Sequence, residues 1–593
     1  MRTIALLIVF WMVLLVLSCK ENTEEDQSSF STPFERSQGV ETATYQEVID
    51  FYLALAKEFP EINVQTIGET DSGHALHLVT YNPDGNFNFQ KIRQEKAILL
   101  VNNGIHPGES DGIDATMLLF RDLAKKTIPS PKNTVLTTLP VYNIGGMLNR
   151  NSTTRVNQNG PKAYGFRGNA KNYDLNRDFI KMDTKNTKTF ASIFHLTKPD
   201  VFIDNHVSNG ADYQYTLTHL FTQHNRLGGD MGDYLSNVMV PKLEERLNTA
   251  DWDITPYVNV FNRPPETGFN QFMDHPRYST GYTTLWNTFG VMLETHMLKP
   301  YDQRVKGTYT FMQEMLSLLD ADYQKIKQLR QQAFEEDLEM TSYPIQWDLD
   351  TTKTTTIRFK GYKADTLTSE VTGLPRLKYN KEMPFEKMVS YNNWYKGKDS
   401  ITVPAAYIVK RGWQNIMEHL TANEIDFFEL DKDTLLEVGM YRIVNFKTYT
   451  SPYEGHYPHY ETTVVSSKNT IAFQKGDFVI PTQQAGIRYL LETLEPGAVD
   501  SFFNWNFFDT VLQRKEGFSP YVFEDLAEQL LMENQPLRDS LAYRKSTDEA
   551  FAQNWYAQLN WIFQNSKYYE KAHMQYPVYR ILKGSVAEKL LED

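Results

Sequence analysis

The sequence predicts an α/β protein in its first half, with a mixed, mostly parallel twisted sheet flanked by helices, followed by a C-terminal α+β region. Three observations lead to this fold class. Short apolar runs, typical of strands buried on both faces, alternate with longer segments of helical spacing. The composition changes beyond Thr341, where Thr-rich, strand-like segments begin. At 593 residues the chain is also too long for one hydrophobic core.

The elements of the first half can be placed in order along the chain. Residues 45–58 predict a helix, because Val48, Phe51, Tyr52 and Leu55 recur at helical spacing. Apolar runs predict strands at residues 62–67, 75–81, 97–101, 135–139, 201–203 and 291–293, and helical spacing predicts helices at 111–126 and 303–339. This alternation favours a sheet with its functional groups at the carboxyl ends of the strands. We therefore expect residues 44–340 to form one catalytic domain.

Residues 341–593 are predicted to form an accessory region. Strand-like segments occur at residues 347–359, 405–409, 427–430 and 444–465, and helical patterns at 413–420, 483–494 and 520–534. The tail is mostly helical in pattern and aromatic. No motif in this half carries obvious chemistry.

Composition and charge narrow the classes of partner. The chain is 41% hydrophobic and 23% charged, which is ordinary for a globular protein. Its net charge is −14, and it has no long cluster of Lys and Arg. Because phosphates call for a basic surface, these features argue against a nucleic-acid partner.

The N-terminus has the pattern of an export signal. Met1-Arg2 supplies a positive end, and residues 4–17 form an apolar stretch too short for a comfortable membrane span. Cys19, the single cysteine of the chain, follows at once and resembles the lipidated cysteine of a bacterial lipobox. We expect a lipoprotein signal peptide over 1–19, a polar tether over 20–43, and a cell-envelope location, on the periplasmic or the outer-surface face, with the membrane reached through the lipid anchor only. An ordinary cleaved signal or an N-terminal anchor is the alternative.

A candidate metal site lies at predicted strand ends. His106-Pro107-Gly108-Glu109 comes shortly after the buried run 97–101, and His206 follows the run 201–205. Zinc accepts imidazole and carboxylate ligands, and catalytic zinc sites use three protein groups with a fourth position for water. His106, Glu109 and His206 are therefore the predicted zinc ligands. A histidine at a strand end, taken alone, is more often structural.

Glu294 is the candidate base. It ends the apolar run 291–293, so its carboxylate would extend from a low-dielectric wall, where burial raises the pKa of a carboxyl group. A general base must accept a proton from the attacking water and return it to the leaving amine. The alternative is a strand-end glutamate held in a salt bridge.

A third group of candidates is polar. Asn176 and Arg177, between two acids, can present amide and guanidinium donors together, and a guanidinium grips a carboxylate through two parallel hydrogen bonds. Upstream, Arg150 and Arg155 lie in a loop rich in glycine and asparagine, and either could stabilise a developing oxyanion.

These motifs, in this order, resemble those of the zinc carboxypeptidase superfamily, the carboxypeptidase A-like metallopeptidases. The resemblance covers roughly residues 45–330 and includes the turn 68–73 of an early hairpin. It implies zinc bound by His106, Glu109 and His206, with Glu294 as general acid and base. It also implies that Asn176 and Arg177 bind the terminal carboxylate of a peptide substrate.

The sequence departs from that family at several positions. The oxyanion arginine of the family lies in a Trp-Arg-Lys-type segment that this chain lacks, so Arg155 is the first candidate for that role and Arg150 the second. Tyr278 and Tyr282 are candidates for the mobile tyrosine that closes over substrate. Asp178 replaces a frequent Asn, and we expect it to make the pocket more acidic and to favour basic or amine-bearing substrates.

The sequence thus predicts an exported zinc metallocarboxypeptidase acting on peptides with a free C-terminus. Two alternatives remain open: a zinc amidase acting on cell-wall peptides or acylated amino acids, and a non-catalytic surface lipoprotein that binds peptide or glycan. His456 and His459 are not expected to bind metal, because the proline at 458 prevents helical ligand spacing and no strand places a carboxylate nearby.

Overall fold

The computed structural model describes residues 30–591, so Cys19 and the predicted signal peptide lie outside the described residues. Its largest feature is an eight-stranded sheet with the spatial order β1-β2-β4-β3-β5-β9-β6-β7. The strands are β1 (Ile62–Glu69), β2 (Ala75–Tyr81), β3 (Ala97–Asn102), β4 (Thr134–Leu139), β5 (Val201–Ser208), β6 (Leu217–Phe221), β7 (Ile254–Pro256) and β9 (Phe289–His296), while β8 (Phe269–Asn270) joins another sheet.

Four neighbouring strands, β4, β3, β5 and β9, run parallel, and β2 and β6 flank them in the antiparallel direction. Every residue of β3 and β5 is buried, as expected for strands covered on both faces. The chain runs from β3 outward to β4 and then returns to β5 on the other side of β3. This reversal of strand order opens a crevice at the carboxyl ends of β3 and β5, which is where open α/β sheets bind ligands. The mixed, largely parallel sheet confirms the predicted fold class.

Helices cover both faces of this sheet. They are α1 (Pro33–Arg36), α2 (Tyr45–Glu58), α3 (Phe89–Glu95), α4 (Asp111–Ala124), α5 (Ile144–Leu148), α6 (Lys185–Thr197), α7 (His224–Leu227), α8 (Gly229–Tyr234), α9 (Val240–Thr249), α10 (Ser279–Thr284) and α11 (Tyr301–Leu338). Among residues 30–591, every helix is too short or too polar to cross a lipid bilayer.

The described part of the predicted tether is packed onto the first half. Thr32 and Glu35 form a reciprocal capping box at α1, which satisfies backbone donors at the start of the helix. Phe34 is buried against the ring of Tyr301, and Glu35 forms an ion pair with Arg121 at 2.7 Å. For residues 30–43 the expectation of a free tether is therefore wrong, because this local cap and one buried aromatic ring outweigh the polar composition.

The second half contains a pair of strands, a long exposed hairpin, a six-stranded sheet and a helical cluster. Its elements are β10 (Ser342–Leu349), β11 (Thr355–Thr368), β12 (Pro375–Asn392), β13 (Tyr395–Thr402), β14 (Ala406–Val409), α12 (Gln414–Ala422), β15 (Phe428–Glu429), β16 (Thr434–Thr448), β17 (His459–Phe473), β18 (Phe478–Pro481), α13 (Ile487–Leu494), α14 (Pro520–Glu533), α15 (Gln535–Thr547), α16 (Glu549–Ala552), α17 (Trp555–Gln564) and β19 (Val578–Ile581). The end of β12 pairs in parallel with β8 of the first half. Strand pairing thus connects the two halves.

Candidate metal centre

The three parallel strands β3, β5 and β9 bring the candidate residues to one edge of the sheet. His206 and Glu294 are direct partners in the register of β5 and β9, so their backbones lie side by side. His106 follows β3 by four residues, after a left-handed turn at Gly104 with φ of +64°. Glu109 lies just ahead of Ser110, the N-cap of α4.

The side chains of His106, Glu109 and His206 converge, with one donor atom of each within 4.8 Å of the others. The Nδ1 atom of His106 is 3.3 Å from Oε1 of Glu109, and the Nδ1 atom of His206 is 3.1 Å from Oε2. All three side chains are buried, between 2% and 4% exposed. Among residues 30–591 this is the one cluster of histidine, cysteine and carboxylate groups arranged to hold a metal ion.

Two further carboxylates orient the imidazoles from their outer edges. Asp174 Oδ1 lies 2.9 Å from Nε2 of His106, and Asp204 Oδ2 lies 2.9 Å from Nε2 of His206. A histidine that binds metal through one nitrogen typically turns its other nitrogen toward a carboxylate, which fixes the ring and makes it a better ligand. The His106 ring is hydrogen bonded in this way, the His206 ring has a carboxylate at the same distance, and the Nδ1 atoms of both rings face Glu109.

The charge around the cluster also suits a cation. Burial alone would lower the pKa of His206, but Asp204 and Glu109 raise it well above its ordinary range. The surroundings therefore favour positive charge between these groups. Two imidazoles and one carboxylate, each oriented by neighbours, form the donor set that zinc accepts.

Glu294 lines the same cavity as the three candidate metal ligands. Burial raises the pKa of its carboxyl group to about 7, and the negative charge of Glu109 adds to this, while His206 opposes it. A carboxyl group with a pKa near neutrality can both accept and release a proton, as a general acid and base must.

Another wall of the cavity carries the candidate carboxylate-binding residues. The cavity encloses about 380 Å³, and Asn176, Arg177 and Tyr278 line it together with the metal cluster and Glu294. Asn176 follows Asp174 in a 3₁₀ turn, Leu175–Arg177, and its Oδ1 accepts a hydrogen bond from the Ser279 amide at 3.2 Å. The guanidinium of Arg177 lies 4.6 Å from the centre of the Tyr278 ring. Tyr278 therefore lies beside the arginine, while the roles of these residues stay predictions.

The sequence reasoning named Arg150 and Arg155 as oxyanion candidates and missed Arg167. Arg150 donates to the carbonyls of Thr42 and Ala43 and does not line the cavity. The expectation that Arg150 could stabilise the oxyanion is therefore wrong. Arg155 contacts the cluster only through Glu109, at 3.0 Å. Arg167 lines the cavity.

Arg167 is also held close to the metal cluster. Its Nη2 atom lies 2.8 Å from Oδ2 of Asp174, and its Nη1 atom lies 3.6 Å from Oε1 of Glu109. Its short Gly-Phe-Arg-Gly context carries no motif, so nothing in the sequence marks it out. Its position makes it a better placed donor than Arg150.

Two further expectations need correction. Tyr282 is fully buried behind the site and donates its hydroxyl hydrogen to Asn423, so it cannot close over a substrate. Asp178 is also fully buried, accepting hydrogen bonds from Lys181 at 2.6 Å and from Thr184 and Thr187. Because its carboxylate is paired with Lys181 and hydrogen bonded inside the fold, Asp178 does not make the pocket more acidic.

A turn of the accessory region, residues 453–456, contacts the loop that carries Asp174. Glu454 Oε2 accepts a hydrogen bond from the Asp174 amide at 2.8 Å, and His456 Nε2 lies 2.8 Å from Oδ2 of Asp183. Gly455, with φ of +80°, packs so closely on Tyr173 that a Cβ atom would lie 2.7 Å from its hydroxyl oxygen. A side chain at this position would adopt a strained backbone conformation and would push the ring of Tyr173 aside, so glycine is favoured here.

The same region also fixes the loop of Tyr278. The buried carboxylate of Asp500 accepts hydrogen bonds from the backbone amide of Arg277 at 2.9 Å and from its guanidinium at 2.8 Å. The Arg277 guanidinium also lies 5.0 Å from the centre of the Trp505 ring. The wall formed by Asn176, Arg177 and Tyr278 is therefore assembled from first-half loops held by the accessory region.

Comparison with known proteins gives only distant similarities. No protein-family model matches the chain, and no curated protein matches it. Solved structures similar to it include a putative carboxypeptidase A from Shewanella denitrificans, with 17% identity, a TM-score of 0.36, and coverage of 47% of this chain and 69% of the other. Carboxypeptidase A from Helicoverpa armigera has 15% identity and a TM-score of 0.36, covering 47% and 74%.

Bovine thrombin-activatable fibrinolysis inhibitor, solved in complex with tick carboxypeptidase inhibitor, is similar at 10% identity and a TM-score of 0.33, covering 49% of this chain and 97% of the other. The first two of these structures carry the name carboxypeptidase A, and the third is bound to a carboxypeptidase inhibitor. At these scores the likeness has no weight for activity, and only the geometry of the site bears on function.

Proposed function

We propose that this protein is a zinc-dependent metallocarboxypeptidase that hydrolyses the C-terminal peptide bond of its substrates. One observation carries the proposal: the oriented cluster of His106, Glu109 and His206 shares a single cavity with Glu294 and with Arg177. A metal site, a proton-transfer group and a carboxylate-binding group are what C-terminal peptide hydrolysis needs.

His106, Glu109 and His206 would hold the zinc ion. Bound zinc would polarise the scissile carbonyl and lower the pKa of water from roughly 15.7 to about 7. Asp174 keeps the imidazole of His106 in orientation by accepting from its Nε2 atom, and the Asp204 carboxylate lies 2.9 Å from Nε2 of His206.

The other residues act on the substrate. Arg177 and the Asn176 amide bind the terminal carboxylate, which selects chains with a free end. Arg167 faces the negative charge that develops on the scissile carbonyl oxygen, where one such donor is typically worth about 100- to 1,000-fold in rate. Glu294 accepts a proton from the attacking water and returns it to the departing nitrogen.

The test is digestion of a mixed peptide library by the purified protein, with and without a chelator, followed by mass spectrometry. We expect stepwise loss of C-terminal residues that the chelator stops and added zinc restores. Cleavage within chains, or identical digestion in the presence of the chelator, would contradict the proposal. A parallel library of C-terminal amides is the control, because these peptides offer Arg177 no carboxylate.

The proposed location is the cell envelope, with the protein attached through Cys19. This proposal depends on the sequence pattern around Cys19 alone. Membrane fractionation of cells that express the full chain or the Cys19→Ala variant tests it. We expect the variant to leave the membrane fraction, and its retention there would contradict lipid anchoring.

A further inference from the structure

A second cavity lies at the other end of the sheet, away from the metal centre. It encloses about 490 Å³, between α11, the segment that precedes β5, and the accessory region. Asp200, directly before β5, and Trp286, shortly before β9, mark it as a site at the amino ends of these strands. Its volume falls within the range of about 300 to 1,000 Å³ that is usual for small-molecule sites.

One part of the cavity wall is apolar and aromatic. Phe194, Trp286 and Phe334 all line it. Trp286 is held in place, with its ring 4.6 Å from that of His195 and stacked on Tyr489 at 6.0 Å. These rings form a rigid apolar surface against which a hydrocarbon or aromatic group can pack.

The other part of the wall is positively charged. Four cationic side chains and two acidic ones line the cavity, which leaves two positive charges in excess within a chain of net charge −14. Two of the cations have acidic partners: Lys198 pairs with Glu424 at 2.9 Å, and Arg330 pairs with Asp200 at 2.6 Å.

The remaining two cations, Arg93 and Lys327, bind only backbone carbonyl groups within residues 30–591. Arg93 donates to the Leu196 carbonyl at 2.7 Å, and Lys327 donates to the carbonyls of Arg93 and Lys96. A guanidinium has five N–H donors and an ammonium three, so both retain donors for a ligand. Burial lowers the pKa of Lys327, and the charges of Arg330 and Arg93 add to this, while the charge of Asp200 opposes it.

We propose that this cavity binds a small apolar carboxylate, with the anionic group at Lys327 and Arg93 and the hydrocarbon part against Trp286 and Phe334. A carboxylate supplies the negative charge that these two cations lack, and charge-assisted hydrogen bonds of this kind are the stronger ones in proteins. The aromatic wall favours an anion that has an apolar part over a purely hydrophilic one. The site is independent of the proposed peptidase activity.

The experiment is isothermal titration of the full-length protein with decanoate and with 2-naphthoate, with decyltrimethylammonium as the ligand of opposite charge. We expect at least one of the two carboxylates to bind with one-to-one stoichiometry, and the cation not to bind. Lys327→Met should weaken carboxylate binding about 10- to 100-fold, the range for loss of a charge-assisted hydrogen bond. Phe334→Ala tests the apolar wall and should also weaken it.

Two variants serve as controls. Lys325→Met changes an exposed lysine on the same helix, outside the cavity, and should leave binding unchanged. Arg177→Ala removes the carboxylate-binding guanidinium of the metal pocket, so carboxylate binding that survives this substitution does not occur there. Lys327 also caps the end of α3, so the folded state of Lys327→Met is checked by circular dichroism, and Phe334→Ala decides if that variant unfolds.

Several outcomes would overturn the inference. They are the absence of carboxylate binding at millimolar concentration, equal binding of the cation, loss of binding in Arg177→Ala, and unchanged binding in both Lys327→Met and Phe334→Ala.

Discussion

The two walls of the metal pocket are built in different ways. One wall, which we call the metal wall, carries His106, His206 and Glu294, placed by three adjacent buried strands whose backbone ladders fix their spacing. The other, which we call the recognition wall, carries Arg177 and Tyr278, which lie in loops that the accessory region holds in place. The groups proposed for bond cleavage thus depend on the sheet, and those proposed for recognition depend on the accessory region. Changes to each wall should therefore affect different kinetic constants.

The largest expected effect comes from Glu294→Gln. The amide keeps the shape of the side chain but cannot transfer a proton, so kcat should fall by about 100- to 10,000-fold. The zinc content should stay the same, because Glu294 is not among the three ligands. Peptidase kinetics and metal analysis check this, with Glu245→Gln, an exposed glutamate of α9, as the control. Activity within tenfold of the unmodified protein would contradict the proposed reaction.

Arg177→Ala should have the next largest effect, on the recognition wall. Losing two charge-assisted hydrogen bonds, each worth about 1.5 to 3 kcal/mol, should reduce kcat/KM for peptides with a free C-terminus by at least about 100-fold. Zinc affinity should not change. If the variant still cleaves peptides and acts equally on C-terminal amides, the amidase alternative replaces the carboxypeptidase proposal.

Asp174→Asn should lower the affinity for zinc without altering any of the three ligands. Asp174 accepts from Nε2 of His106, and loss of such an outer partner typically weakens metal binding about 10- to 100-fold. Competition with a chelator of known zinc affinity measures this. Unchanged zinc affinity would show that Asp174 does not orient the imidazole.

The sequence predicted the metal wall better than the recognition wall, for physical reasons. Runs such as residues 97–101 and 201–203 are continuously apolar, and a strand buried on both faces needs that composition. A polar residue at or just after the end of such a run is therefore noticeable, and His206 and Glu294 are predicted on this basis. Their roles remain predictions.

The elements that the sequence did not predict have a different origin. β12 and β13 are largely exposed and rich in charge, so they show no apolar run. β6 is buried but contains Thr218 and His219, which interrupt its apolar pattern. Such strands are specified by their partners in the sheet rather than by local composition.

Contacts between distant residues were also out of reach. The sequence separation between Asp174 and Glu454 is 280 residues, and no local pattern links them. Arg150 and Arg155 lie in a loop rich in glycine and asparagine, which made them candidates, whereas the residues next to Arg167 in the sequence form no motif, although Arg167 lines the cavity. Spatial proximity of this kind follows from the assembled fold alone.

The smallest expected effect tests how the accessory region holds the recognition wall. Glu454→Ala removes the acceptor for the Asp174 amide and should destabilise the loop by about 1 kcal/mol, which corresponds to roughly a fivefold rise in KM. Glu454 is only half-buried, so this value lies below the usual range of about 1.5 to 3 kcal/mol for charge-assisted hydrogen bonds. Kinetics on a peptide with a free C-terminus, together with chelator competition for zinc, check the prediction.

The control is Glu461→Ala, which removes an exposed ion pair with Lys447 from the same hairpin, and such pairs contribute at most about 1 kcal/mol and often nothing measurable. A rise in KM for Glu454→Ala alone, with zinc affinity unchanged, would support separate control of the two walls. If zinc affinity falls as much as KM rises, the accessory turn acts through Asp174 on His106. The two walls would then respond as one unit, and the division between cleavage and recognition would be wrong.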